Sequence, residues 1–281
     1  MPATDGHVHT EWSWDTLHGS MERSCARAVR LGLPSIAFTE HADATGWLVD
    51  ADDLGRMPTH FRWVRDPDGL LRPQPLDVDG YLDCVDRCRH RFPGLRILTG
   101  VELSEPHWHP GFVADLLGRA DFQRILGSVH TLRDRDGNRV VDLEYRIRSA
   151  GDVVRAYLAE VLRLVGSGSP FTVLAHIDYA VRDWPAAAGA YRPGLFEDEY
   201  REVLRALARS GRALEVNTRV PLSAEVVGWW AEVGGTAVTF ASDAHRPEDV
   251  GAGFGAAVAM AEAYGFRAQD DPHAVWIRRS P

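Results

Sequence analysis

Seven short apolar runs in this chain each end on a histidine or a carboxylate, and that repetition limits the fold more than any other feature. The runs close on His7 and His9 (with Asp15 just after), His41, Glu102, His130, His176, Glu215-Val-Asn217, and Asp243 with His245. Strands are read at 5–9, 35–39, 96–102, 124–129, 172–176, 213–217 and 237–242. Most are near-continuous apolar runs, as strands buried on both faces require. Amphipathic segments follow at 20–31, 78–91, 150–165, 196–209, 223–232 and 252–264. In the segment that starts at Phe196, apolar residues recur at Tyr200, Val203, Leu204 and Leu207, one face of a helix. Gly32, Gly211 and Gly265 stand where helix C-caps belong. Alternating β and α elements predict a parallel sheet. Seven such units predict an α/β fold, a distorted (β/α)7 TIM-like barrel formed by residues 1–281 as one domain. Active residues of such barrels come from the carboxyl ends of several strands, which is where the polar residues lie here. Two stretches, about 43–76 and 132–149, break the rhythm. Both follow strand ends and are expected to overhang the rim.

Composition removes several classes of function. A net charge of -9 argues against nucleic acid as a bulk partner. No run approaches the roughly 18 apolar residues of a membrane helix, and the first ligand motif begins at Asp5 with no leader before it, so the cytoplasm is expected. All 31 basic residues are arginine, which excludes Schiff-base lysine chemistry. The three cysteines, Cys25, Cys84 and Cys88, form no disulfide framework and are read as buried thiols. No serine stands in a G-x-S-x-G elbow.

Residues two apart on a strand face the same way, so His7 and His9 can reach one metal from a rigid element. A lone H-x-H motif is weak. Here it is joined by Ser13-Trp-Asp15, Thr39-Glu40-His41, Gly100-Val-Glu102, Val129-His130, Ala175-His176 and Ser242-Asp243-Ala-His245. Imidazole and carboxylate together suit zinc, manganese or iron. A second H-x-H, His107-Trp-His109, falls five residues past Glu102 and is read as a rim feature.

This set resembles the PHP family, the polymerase and histidinol phosphatase metallophosphoesterases, from Asp5 to about Gly251. The Ser-x-Asp after H-x-H, the Thr-Glu-His and the Glu-Val-Asn-Thr strand are most similar to its stand-alone histidinol-phosphatase branch. The resemblance implies three divalent metal ions. One would be held by His7, His9, Glu102 and Asp243, a second by Glu102 as a bridge with His130 and His176, and a third by Asp15, His41 and His245. His18 is an alternative to Asp15. Glu102, Asp243 and His245 are the residues expected to serve catalysis. Three carboxylates against three divalent cations leave a surplus of about three positive charges, suited to a phosphate dianion. Neighbouring metals can clamp attacking and leaving oxygens and lower the pKa of a bound water to roughly 7. The expected nucleophile is therefore a metal-bound hydroxide.

Arginine suits bidentate phosphate recognition. Arg182, six residues past His176, and Arg219, two past Asn217, are the candidates, and the resemblance favours Arg182. Trp12, Trp14, Trp47, Trp108 and Trp184 cluster near the rim, and aromatic faces suit imidazole and ammonium groups. Asp43 and Glu105 are placed to balance an ammonium. The expected activity is hydrolysis of the small-molecule phosphate L-histidinol phosphate, a step of histidine biosynthesis. The alternatives are a phosphatase or phosphodiesterase acting on another small phosphate or nucleotide, an amidohydrolase-like barrel, and a non-catalytic PHP module. Oligomeric state is left open.

Overall fold

The computed structural model describes residues 3–56, 66, 69–135, 137–271 and 275–278. Seven parallel strands form its centre: β1 (Asp5–Val8), β2 (Ser35–Asp43), β3 (Arg96–Ser104), β4 (Arg124–Ser128), β5 (Val173–Leu174), β6 (Ala213–Asn217) and β7 (Ala237–Ala241). Each pairs with its neighbour in sequence, and Asp5 opposite Phe240 closes β1 onto β7. This is the expected seven-strand barrel. One element was not foreseen in the sheet. A two-residue β8 (Trp276–Ile277) joins β7 antiparallel, and it is too short to leave a periodic signal.

The ladder is uneven, and this is the distortion. β2 and β3 pair without a break from Ser35 opposite Arg96 to Asp43 opposite Ser104, whereas β5 contributes two residues. The sequence reading ends β2 at 39 because polar residues follow. The strand continues because Glu40, His41 and Asp43 are all buried and find partners near the rim. Gly100 lets β3 lie close to both neighbours. A Cβ there would sit 2.7 Å from Thr39 Cγ2 and 2.8 Å from the Arg124 carbonyl oxygen.

The helices around the barrel are α1 (Met21–Leu31), α2 (Val78–Arg91), α3 (Pro110–Leu117), α4 (Ala150–Gly166), α5 (Glu197–Ser210), α6 (Ala224–Glu232) and α7 (Phe254–Ala263). α1 starts where Ser20 accepts from the Arg23 N–H and stops at Gly32, whose φ of 68° is the left-handed cap conformation. α3 escaped the sequence reading. Of its eight residues only Val113 and Leu116 are buried, too few to show a period, although Pro110 at its first position is a start signal. Tyr81 of α2 docks that helix on the barrel. Its hydroxyl donates to the Phe38 carbonyl at 2.8 Å and accepts from Gly100 N–H at 2.8 Å. Burial of each large apolar side chain in this core contributes roughly 1.5–3 kcal/mol. Cys25, Cys84 and Cys88 are free, buried thiols between α1 and α2.

Both rim segments carry structure of their own. In the first, Trp47–Leu48 pairs antiparallel with Leu70–Leu71, and Ala51–Arg56 is a short helix. Residues 57–65, 67 and 68 of that segment lie outside the described residues. The second forms a hairpin, Thr131–Arg133 with Asn138–Val140, followed by a helical turn at Val141–Glu144. The two segments meet above the strand ends. Trp47, Val49, Leu71 and Leu143 form a separate small core against Trp14, Leu54 and Val140.

Candidate metal centre

All nine expected ligands converge at the carboxyl ends of the strands. Glu102, at 1% exposure, is the hub. Its Oε2 lies 3.3 Å from His7 Nε2, 3.4 Å from His9 Nε2 and 3.2 Å from His41 Nδ1. Its Oε1 lies 2.7 Å from His176 Nε2 and 3.3 Å from His130 Nε2. Asp243 Oδ1 is 3.5 Å from His9 Nε2 and 3.6 Å from His245 Nδ1. Asp15 Oδ2 is 3.4 Å from His41 Nε2 and 3.1 Å from His245 Nε2. Asp15, rather than His18, makes the contacts expected at that corner.

The protonation pattern of the imidazoles fits a cation site. His7 Nδ1 lies 2.9 Å from Glu215 Oε2, and a carboxylate can only accept, so His7 carries its proton there. Ser13 Oγ donates to Glu40 Oε2 at 2.6 Å, so it accepts from His9 Nδ1 at 3.0 Å. Both rings therefore turn Nε2 inward, and those atoms are 2.9 Å apart. Against the effect of burial, Glu215, Glu102 and Asp243 raise His7 well above the ordinary imidazole value, so the pair holds a positive charge that a metal ion would replace. Such orientation of a ligating imidazole by an outer carboxylate is the usual companion of metal sites. Glu102 Oε2, His41 Nδ1 and His176 Nδ1 are buried with no hydrogen-bond partner. Three-residue groups able to hold an ion include His7/His9/Asp243, His7/Glu102/His176 and His9/His41/His245.

The electrostatics agree. Burial alone would raise the Glu102 carboxyl, but His7, His130 and His41 hold it well below the usual range. Asp243 is likewise held low against burial by Arg182, His7 and Arg219. Asp15 is held low against burial by His41 and His245. Burial, with His41 and His245 close by, drives His9 well below the ordinary imidazole value. These carboxylates stay ionised and His9 stays neutral, the forms that bind metals, whereas against burial Asp15, Asp43 and Glu102 raise His41 to about 10 and Glu102 raises His130, so metal binding there must release protons.

A cavity of about 600 Å³ opens above this cluster. Arg182 and Arg219 both line it. Arg182 binds Asp243 Oδ2 and lies 4.7 Å above the Tyr179 ring. Arg219 Nη1 donates to the Asp243 carbonyl at 3.2 Å and approaches His245 Nδ1 at 2.8 Å. Asp43 accepts from Trp14 Nε1 at 2.7 Å through Oδ2, while its buried Oδ1 has no partner. Glu105 has another task than the one read from the sequence. Oε1 accepts from the His130 and Thr131 N–H groups at 2.6 and 2.8 Å, and Oε2 accepts from Thr45 Oγ1 at 2.8 Å, so both oxygens already serve the rim. Trp14 and Trp47 line the cavity, whereas Trp108 donates to Glu160 and Trp184 to Gly189 O. His107 is bound to Glu160 and His109 to Thr45, a structural role for that H-x-H. Asp142 and Asp183 also line the cavity and were not anticipated. Burial and the nearby Asp183 push Asp142 up to about 6. Asp142 is hidden in the rim stretch 132–149, and Asp183 beside Arg182 carries no spacing that marks it.

Comparison with known proteins agrees with this geometry. The PHP domain matches residues 5–219. A histidinol-phosphatase of Lactococcus lactis is 23% identical over 255 residues, covering 87% of this chain and 85% of its own. A probable histidinol-phosphatase of Deinococcus radiodurans is 29% identical over 268 residues, covering 90% of each. Among solved structures, the L. lactis histidinol phosphate phosphatase complexed with zinc, L-histidinol and phosphate superposes with a TM-score of 0.74 at 21% identity, covering 97% of this chain and 98% of its own. A putative histidinol phosphatase from Listeria monocytogenes gives a TM-score of 0.70 at 17% identity, covering 90% and 99%. These two likenesses are of fold. Among the described residues, no helix is long and apolar enough to cross a membrane.

Proposed function

The chain belongs to the PHP family, and on that premise we propose that it is a metal-dependent phosphomonoesterase converting L-histidinol phosphate to L-histidinol and phosphate. The observation that carries this reading is the convergence of five imidazoles on the Glu102 carboxylate beneath a cavity lined by Arg182 and Arg219. The curated relatives named histidinol-phosphatase support the substrate. The neighbour with zinc and L-histidinol supports the cofactor class.

His7, His9, Glu102 and Asp243 would hold one cation, Glu102 with His130 and His176 a second, and Asp15, His41 and His245 a third. Bound there, divalent cations supply Lewis acidity to phosphoryl oxygens and an activated water at neutral pH. The chain's own residues do the rest. Glu215 and Ser13 fix the proton positions of His7 and His9. Arg182 and Arg219 bind phosphoryl oxygens and orient the ester. Asp43 offers its free oxygen to the substrate ammonium, and Asp142 and Asp183 add negative charge to the cavity lining. Trp14 and Trp47 supply flat apolar faces for the imidazole.

A panel of phosphomonoesters assayed with metal-reconstituted protein tests the proposal. The expected result is the highest kcat/KM for L-histidinol phosphate. A nucleotide or another sugar or amino-alcohol phosphate preferred by tenfold or more would overturn the substrate while leaving the chemistry in place.

A further inference from the structure

Four buried carboxylates outside the ligand set share one geometry. Asp5, Glu40, Glu105 and Glu215 are each at most 1% exposed. Each reaches sideways from its own strand to a backbone N–H at the end of a neighbouring one. Asp5 of β1 accepts from Ser242 N–H at 3.0 Å, Ser242 Oγ at 2.6 Å and Gly251 N–H at 2.9 Å, beyond β7. Glu40 of β2 accepts from Thr10 N–H at 2.9 Å, Thr10 Oγ1 at 2.6 Å and Ser13 Oγ at 2.6 Å, beyond β1. Glu105, just past β3, accepts from the N–H groups of His130 and Thr131 beyond β4. Glu215 of β6 accepts from His176 N–H at 3.1 Å, beyond β5.

The residues so held are ligand positions or their direct neighbours: Ser242 precedes Asp243, Thr10 follows His9, and His130 and His176 are ligands themselves. At the end of a strand the ladder stops, and buried N–H groups past it need another acceptor. An apolar residue at any of these four positions would avoid the cost of burying a carboxylate but leave those N–H groups unpaired. The two non-glycine residues at positive φ among the described residues, Glu105 at 43° and Asp243 at 52°, both lie on this ring or beside it. Such conformations persist when surrounding bonds over-determine them.

We propose that these four carboxylates form a positioning ring that sets the rim backbone, and thereby the ligands, before any metal binds. The ring acts locally: Glu105 fixes His130, and Glu40 fixes His9 through Ser13. Removing one brace should therefore weaken one part of the centre and spare the rest. The inference rests on reading the nine-residue set as a metal centre.

The test uses full-length protein loaded with cobalt(II), read by elemental analysis after dialysis against a mild chelator, by the d–d absorption spectrum, and by circular dichroism to check folding. Glu105→Ala should lose about one metal equivalent and change its spectrum while keeping the parent's secondary structure. Glu105→Gln should retain the parent's metal content, because its amide oxygen still accepts from the two N–H groups. Ser13→Ala is a smaller change and guards against an unfolded Glu105→Ala. It should alter the cobalt spectrum through His9. Variants with the parent's metal content and spectrum would overturn the ring, as would a Glu105→Gln protein as depleted as Glu105→Ala. A parent that binds no cobalt would refute the metal reading itself and the ring with it. Variants indistinguishable from a cobalt-loaded parent would refute the ring alone.

Discussion

Arg182→Ala tests phosphate recognition, provided that metal content is matched, because the same guanidinium also pairs with Asp243. The guanidinium stands over the Tyr179 ring, anchored to Asp243 Oδ2, with 16% of its side chain exposed to the cavity side. In that position its remaining N–H groups can meet phosphoryl oxygens, whose charge grows towards the transition state. A hydrogen bond to a charged group is worth about 1.5–3 kcal/mol. At 1.4 kcal/mol per tenfold, its loss should lower kcat/KM by roughly 10- to 150-fold. The loss should be alike for L-histidinol phosphate and for a plain aryl phosphate, since both carry the phosphoryl group. Arg182→Lys should fall between, keeping the charge but not the planar fork. Steady-state phosphate release, measured at matched metal content, reads all of this. A variant as fast as the parent would make Arg182 a structural partner of Asp243. A loss confined to L-histidinol phosphate would move it to the leaving-group side.

Four further outcomes are expected. Asp43→Ala should raise KM for L-histidinol phosphate about tenfold or more, with little effect on the aryl phosphate, and equal losses on both would refute the ammonium role. Glu102→Ala removes the hub of five imidazoles and should abolish turnover with the barrel retained by circular dichroism; near-parent activity at full metal content would refute the assignment. Elemental analysis of reconstituted protein should approach three equivalents of zinc, manganese or iron, and a steady value of one or less would refute the trinuclear reading. Asp142, pushed from 3.8 to about 6 by burial, favours the folded state while neutral. That stabilisation is fully present below about pH 4 and is lost as pH rises through about 6. Asp142→Asn should therefore match the parent's melting temperature near pH 4 and exceed it near pH 7, and a constant difference across that range would refute the burial argument.

The barrel and the residues proposed as its ligands are legible because both leave periodic marks. A strand buried on two faces must be apolar until it reaches the rim, so the first titratable residue after each run marks a strand end. Glu102, His130, His176 and Asp243 stand out in that way. The extent of β2 was misjudged by the same rule. Glu40, His41 and Asp43 look like the exit from a strand, yet they remain in the ladder because their side chains find acceptors, donors or each other inside. The rim hairpins were hidden for the opposite reason. Trp47–Leu48 and Leu70–Leu71 pair across a separation that no local pattern reports, and their apolar residues bury against each other rather than against the barrel.

Glu105 shows where residue type stops being informative. A carboxylate three residues beyond a ligand, in a segment with histidine and tryptophan, invites a role in binding substrate. Its chemistry allows that role, but both oxygens already accept from His130, Thr131 and Thr45. The partners of a brace are backbone N–H groups, which every residue but proline possesses, so no spacing or residue pairing betrays them. Glu215 has one trace that separates it from a ligand. It sits inside the apolar run Ala213–Asn217 rather than at its end, where an unpaired carboxylate would be costly. A charged residue embedded in a buried strand must be fully bonded in place, and around a barrel the nearest unsatisfied donors are those at the ends of the strands beside it.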